Sequence, residues 1–175
     1  MQALIVSSEV ESALLAGPRR PPRVEHLEPF FRSACDVLGY ELQVPVQRGQ
    51  YSAANGPYTT HDVTAIVGIT GKLIGLALFA MGRETAKGVL GQLLSEPIEE
   101  FDELALSAIA ELANVTTGRA AGLLAGDGVE ITITSPVVVS GVGTRISTTG
   151  IPRFLVPMQT PLGDIEVQLA VKSTP

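Results

Sequence analysis

The sequence predicts an α+β fold, a mostly antiparallel β-sheet packed with three helices. Three observations predict it. Apolar residues recur at helical spacing in three stretches, the second and third consecutive. Strand-like runs fall between the first and second stretches and again after the third, and no segment shows the strict strand–helix alternation of a parallel sheet. A chain of 175 residues suits one domain, or one domain with an arm, and is long enough to bury a substantial core. Hydrophobic residues make up 45% and aromatic ones only 5%, so that core is aliphatic, built from Val, Leu, Ile and Ala.

Residues 1–23 read as an N-terminal arm with no assigned role. They end in GPRRPPR, whose prolines continue no regular element, and the preceding ALIVSSEVESALLA fits a short strand or a helix equally. The domain proper spans 24–175. It opens with VEHLEPFFRSACDVLG, where Leu27, Phe30, Phe31, Ala34, Val37 and Leu38 are spaced as on an amphipathic helix. Pro29 is tolerable near the first turn and Gly39 is the expected stop. ELQVPVQR then alternates like a strand, demoted by Pro45 to an edge or a bulge. The polar QYSAANGPYTT reads as a loop. HDVTAIVGIT and KLIGLALFAM are β-rich runs joined at Thr70 and Gly71, a hairpin. RETAKGVLGQLLSE, from Arg83 to Glu96, is the second helix, and Pro97 separates it from a third that covers Phe101 to Leu124. After Gly126 and Gly128 come the strands VEITIT, PVVVSG, RFLVPMQT and DIEVQLAVK, the last two joined by the turn PLG.

Charge and cysteine usage exclude several function classes. A net charge of −6, with Arg19, Arg20 and Arg23 diluted among prolines, argues against nucleic acid as a partner. The single Cys35 has no intrachain disulfide partner, which fits a reducing compartment, and it reads as a small apolar residue on a helix. The most apolar run, Leu73 to Met81, is too short to span a bilayer, and the N-terminus has no basic region leading into an apolar one. No membrane association is expected, and the location is expected to be cytoplasmic. His26 and His61 lie apart with no carboxylates at ligand spacing, so no metal site is expected. VGITGKLIG lacks the spacing of a phosphate-binding loop. Thr116 and Thr117 have no base at a readable spacing.

The third helix carries the chemistry. Ser107, Glu111, Asn114 and Gly118 step by i, i+4, i+7 and i+11, which stacks them along one narrow face. Leu104, Ala105, Ala108, Ile109, Leu112, Ala113, Val115 and Ala120 fill the rest of the circumference and are expected to be buried. An Asn in mid-helix costs several tenths of a kcal/mol relative to Ala, so something other than helix stability keeps it there. The bland alternative for Glu111 and Asn114 is a solvated stripe. For Arg119 it is a surface side chain lying along its own helix.

The segment Ser107-Ala-Ile-Ala-Glu111-Leu-Ala-Asn114-Val-Thr-Thr-Gly118, an S-x3-E-x2-N-x3-G motif, resembles the signature helix of the CheC/CheX-type chemotaxis phosphatases, closest to the CheX branch. The hairpin VGITGKLIGLALF, the helix RETAKGVLGQLL, the strand PVVVSG and the closing GIPRFLVPMQTPLGDIEVQLAV are similar to the corresponding family elements. The resemblance runs from about Val24 to Lys172 and leaves out the arm. It implies a hydrolase that removes the phosphoryl group from the aspartyl phosphate of a CheY-like response-regulator receiver domain. Glu111 would pair with the receiver's active-site lysine, and Asn114 would orient the attacking water. Ser107, which could also cap or hydrogen-bond locally, and Gly118, which would let a partner backbone approach closely, are taken as partner-binding and not catalytic. No cofactor is implied on this chain, and Mg2+ would belong to the receiver. A single Glu-x-x-Asn helix matches the one-site CheX branch, and the resemblance further implies a homodimer joined through the sheets. The competing reading is a non-catalytic receiver-binding or flagellar-switch-like adaptor module.

The residue types suit that chemistry. An acyl phosphate is already reactive, and phosphoryl transfer is catalysed mostly by positioning and charge stabilisation. A carboxamide offers a donor and an acceptor at any ordinary pH, so it can hold a water on the line of attack. A carboxylate at i−3 shares its helix face and offers an ion pair to an ammonium, which orients more than it tightens.

Overall fold

The computed structural model describes residues 23–148 and 150–174. All but the last residue of the expected arm, 1–23, lies outside the described residues. In chain order the elements are α1 (Val24–Leu42), β1 (Gln47–Arg48), β2 (Ser52–Ala54), β3 (Tyr58–Thr59), β4 (Val63–Gly71), β5 (Leu73–Met81), α2 (Arg83–Leu94), α3 (Glu103–Gly126), β6 (Ile131–Ile133), β7 (Val137–Ser140), β8 (Arg145–Ile146), β9 (Arg153–Thr160) and β10 (Gly163–Ser173). The main sheet runs β1-β9-β10-β5-β4-β6, with β2 also on β9 and β7 also on β4, and every pairing is antiparallel. A small second sheet pairs β3 with β8. Among the described residues, three helices and the antiparallel sheet make the α+β arrangement expected.

Several local expectations are corrected. Helix α1 does not stop at Gly39. It runs one turn further to Leu42, which is fully buried, and Gln43 then takes the left-handed conformation at φ 52°. Burying a leucine is worth more than the roughly 1 kcal/mol that a mid-helix glycine costs. Pro29 lies inside the helix beyond its first turn; the one hydrogen bond it forfeits would end on the carbonyl of Glu25, an exposed residue that water can serve. The expected strand ELQVPVQR shrinks to the two residues of β1, its first residues having joined α1. The expected loop QYSAANGPYTT contains β2 and β3. These short strands are held from far away in sequence, Ser52 opposite Leu155 and Tyr58 opposite Ile146. Helix α2 ends at Leu94, two residues early.

The β4–β5 hairpin and its turn are as expected, with Gly71 at φ +106° where a side chain would strain the backbone. Gly75 answers a different need. A Cβ there would stand 1.8 Å from the carbonyl oxygen of Ala170 on β10, so only glycine lets β5 and β10 approach. Strands β4 and β5 are buried on both faces. Phe31, Leu38, Val67, Ala77, Leu90, Ile109, Met158 and Val167 contribute to the large core between the sheet and the helices. On the opposite face Tyr58, Ile66, Leu76, Leu78, Ile146 and Ile151 form a smaller cluster beneath β3, β8 and the neighbouring loop. That loop's polar groups are met internally, Thr60 Oγ1 donating to the Gly141 carbonyl at 3.0 Å and Thr148 Oγ1 to that of Ile151 at 2.7 Å.

Candidate functional site

Helix α3 is the element that presents the site, and its start is fixed by sequence. Asp102 caps it, Oδ1 accepting from Ala105 N at 2.8 Å, which satisfies one of the free amides of the first turn. Ala105, Ile109, Leu112, Ala113, Ala120 and Leu124 then turn inward against α1, β4 and β6. Thr116 and Thr117 are buried too, each hydroxyl donating back one turn, to the Leu112 carbonyl at 2.7 Å and the Ala113 carbonyl at 2.8 Å. Those hydroxyls are tied up inside the helix packing, and neither is placed to act as a nucleophile.

With this side held down, the line of four runs from the exposed arc toward the edge of β6. Ser107 and Glu111 are exposed, and Asn114 and Gly118 are half-buried. Among the described residues, Glu111 and Asn114 make no ion pair or side-chain hydrogen bond with the rest of the chain. At about 100° per residue, Asn114 and Gly118 lie to one side of Glu111, while Ala108, Leu112 and Val115 lie to the other. Gly118 faces β6, where an added Cβ would come no nearer than 3.8 Å to Ile133 Cδ1. Packing therefore does not require glycine at this position.

Two residues of α3 depart from expectation. Leu104 is 60% exposed and Val115 39% exposed, although both were expected to be buried. Both flank Glu111 on the outward arc, which α1 and the sheet leave uncovered. They give the polar line an apolar margin. Arg119 reaches across to α1, its Nη2 standing 3.1 Å from Asp36 Oδ2, so it clasps the two helices at the surface.

On the Val115 side of Glu111 lies a feature that sequence reasoning missed. An open groove of about 360 Å³ runs between the ends of α1 and α2 and the flank of α3. Glu41 of α1 and Glu111 of α3 provide its carboxylates, and Leu93, Leu94, Leu112 and Val115 its aliphatic surface. The expected strand ELQVPVQR begins at Glu41 and hides it. The helical spacing that carries Phe30, Ala34, Val37 and Leu38 would have found it had the pattern been carried past Gly39.

Away from α3, a second polar cluster ties α1 to the sheet edge. Glu28 accepts from Arg48 Nη1 at 2.7 Å and from the Tyr51 hydroxyl at 2.6 Å, and Tyr51 meets Phe31 edge-on at 5.0 Å. Burial alone would raise the Glu28 carboxyl, but the hydrogen bonds from Arg48 and Tyr51 outweigh it and hold the group below its ordinary value. Burial and the bond to Glu28 push the Tyr51 phenol up to about 12. Cys35, half-buried on α1, lies 3.5 Å from the Met158 sulfur, and burial raises its thiol. This cluster is structural, a seam between helix and edge strands. Among the described residues no group of three or more His, Cys, Asp or Glu side chains is arranged to hold a metal ion, and no helix is long and apolar enough to cross a membrane.

The profile of the family described as "Chemotaxis phosphatase CheX" matches residues 63–159. CheY-P phosphatase CheX of Thermotoga maritima is 34% identical over 139 residues, which cover 79% of this chain and 87% of that protein. Among solved structures, a chemotaxis protein CheX from Desulfovibrio desulfuricans superposes with a TM-score of 0.76 at 26% identity, over 86% of this chain and all of the other. A chain of the CheX–CheY–BeF3–Mg2+ complex from Borrelia burgdorferi superposes with a TM-score of 0.73 at 29% identity, again over 86% and 100%.

Proposed function

Because this chain belongs to the CheX family of chemotaxis phosphatases, we propose that it dephosphorylates the phosphoaspartate of a CheY-like receiver domain, with Glu111 and Asn114 of α3 as its working pair. The relative's name, CheY-P phosphatase, and the CheX–CheY complex among the similar structures support the reaction and the partner. The observation that carries the assignment of residues is the outward-facing pair at i and i+3 on α3, with no partner among the described residues.

The chemistry asks little of this chain beyond placement. A water attacks phosphorus, the bond from phosphorus to the aspartyl oxygen breaks, and free aspartate and inorganic phosphate leave. Asn114 holds the water through its carboxamide, which neither gains nor loses a proton near neutrality. The Glu111 carboxylate pairs with the receiver's lysine and fixes the rotation of α3 against the phosphorylated pocket. Mg2+ bound by the receiver would neutralise charge on the phosphoryl oxygens, so the chemistry calls for no metal-ligand set on this chain. Ser107 and Gly118 complete the contact, Gly118 by leaving backbone bare where the partner comes close. A receiver of this kind works in the cytoplasm, and this chain belongs there with it.

The test is loss of phosphate from each phosphorylated receiver domain of the same cell in the presence of the full chain. Acceleration for at least one receiver, lost in Glu111→Ala, is the expected result. Binding that depends on phosphorylation but never speeds hydrolysis would mean an adaptor built on this fold. We further propose a homodimer formed through sheet edges, for which β6 and β7 offer one side of the sheet. A monomeric mass in solution scattering would overturn it.

A further inference from the structure

The groove beside Glu111 extends the contact surface beyond the signature helix. We infer that it receives a second long basic side chain of the receiver domain, and that Glu41 is the residue that reads it, an inference that rests on the receiver-phosphatase reading above. Two observations choose this occupant. The groove has carboxylates on two of its walls, Glu41 and Glu111, and neither is neutralised by a cation among the described residues. Its remaining surface is aliphatic, from Leu93, Leu94, Leu112 and Val115. A lysine or arginine matches both at once, its methylene stem lying on the leucines and its charged head reaching the carboxylate.

The groove's form agrees with this. At about 360 Å³ it stands at the small end of the range for metabolite pockets, and it opens to solvent, which suits a side chain arriving on a docked protein. It shares Glu111 with the proposed catalytic line, so a receiver seated on that line covers the groove in the same step. Glu111 is then occupied by the active-site lysine, a feature any phosphorylated receiver offers. Glu41 is left to discriminate among receivers by what stands next to that site. A carboxylate at such a rim acts mainly on encounter rate and on the choice of partner.

The experiment uses full-length chain and the receiver domain that it dephosphorylates fastest. KM and kcat are measured for turnover, together with Kd for that receiver loaded with beryllofluoride and Mg2+, at low and high salt. Glu41→Gln is expected to raise KM and Kd about two- to fivefold, and Glu41→Lys roughly tenfold or more, with kcat within about twofold of wild type. The gap should narrow at about 0.5 M salt, where the screening length falls to a few ångströms. Glu25→Lys makes the same charge change on the same helix about 24 Å away and should leave all three values unchanged. A single Lys→Glu or Arg→Glu change on the receiver should restore binding to Glu41→Lys. If Glu41→Lys binds and turns over like Glu25→Lys, the inference is wrong. If Leu94→Ser weakens binding while Glu41→Lys does not, an apolar side chain fills the groove, which also overturns it. A receiver that binds without being hydrolysed would defeat the hydrolase reading, while Kd would still decide the role of Glu41.

Discussion

Gly118→Ala separates what α3 needs for folding from what it needs for docking. Gly118 sits mid-helix with helical backbone, so alanine fits its conformation, and the added Cβ would make ordinary contact with Ile133 Cδ1 at 3.8 Å. Glycine there costs roughly 0.5–1 kcal/mol relative to alanine. For a chain of this length the substitution should raise Tm by about 1–4 °C. On the receiver side the sign reverses. A methyl group forced into a close interface costs about 1–3 kcal/mol, so KM should rise roughly five- to a hundredfold. Gly122→Ala is the control: nothing lies within 4 Å of its Cβ position, and it stands about 12 Å along the helix from Asn114. It should gain similar stability and turn over within about twofold of wild type. Thermal melts and steady-state phosphate release on the three proteins make the comparison. A Gly118→Ala protein that is both more stable and fully active would refute the claim that bare backbone at 118 serves the partner.

Gly75→Ala should fail to give soluble folded protein, or lose more than about 3 kcal/mol, because a Cβ 1.8 Å from the Ala170 carbonyl forces β5 and β10 apart; circular dichroism and urea melts would show it. The Glu28 cluster gives stability a signature at each end of the pH scale. Glu28 is held below its ordinary value in the fold, so its contribution is present above about pH 4.5 and fades as pH falls through the lower folded value. Tyr51 is raised from 10.0 to about 12, so its contribution is complete below pH 10 and fades as pH rises toward 12. Glu28→Gln should flatten the acid limb and lower the Tyr51 value, read from phenolate absorbance.

Much of this was legible in the sequence where the signal is local. Helix α3 announces itself through a long apolar period, and its candidate face through four polar or small residues that interrupt that period at i, i+4, i+7 and i+11. The β4–β5 hairpin is equally local, two apolar runs around Gly71. What escaped depends on distant contacts. β2 and β3 are strands only because β9 and β8, about a hundred residues away, pair with them. The last turn of α1 exists because Leu42 finds the core, against the local stop at Gly39. The exposure of Leu104 and Val115, and the groove with Glu41, follow from how three helices leave one arc of α3 uncovered, and no single helix encodes that.

The proposed division of labour has Asn114 position water while the rest of the face binds. It is tested most directly by single-turnover phosphate loss from a receiver phosphorylated with acetyl phosphate, comparing wild type with Asn114→Ala at saturating enzyme. The expected result is a fall in rate of roughly a hundredfold or more, with Kd for the beryllofluoride-loaded receiver within about threefold of wild type. An Asn114→Ala protein that hydrolyses within a few-fold of wild type, or that loses rate only as far as it loses binding, would contradict it.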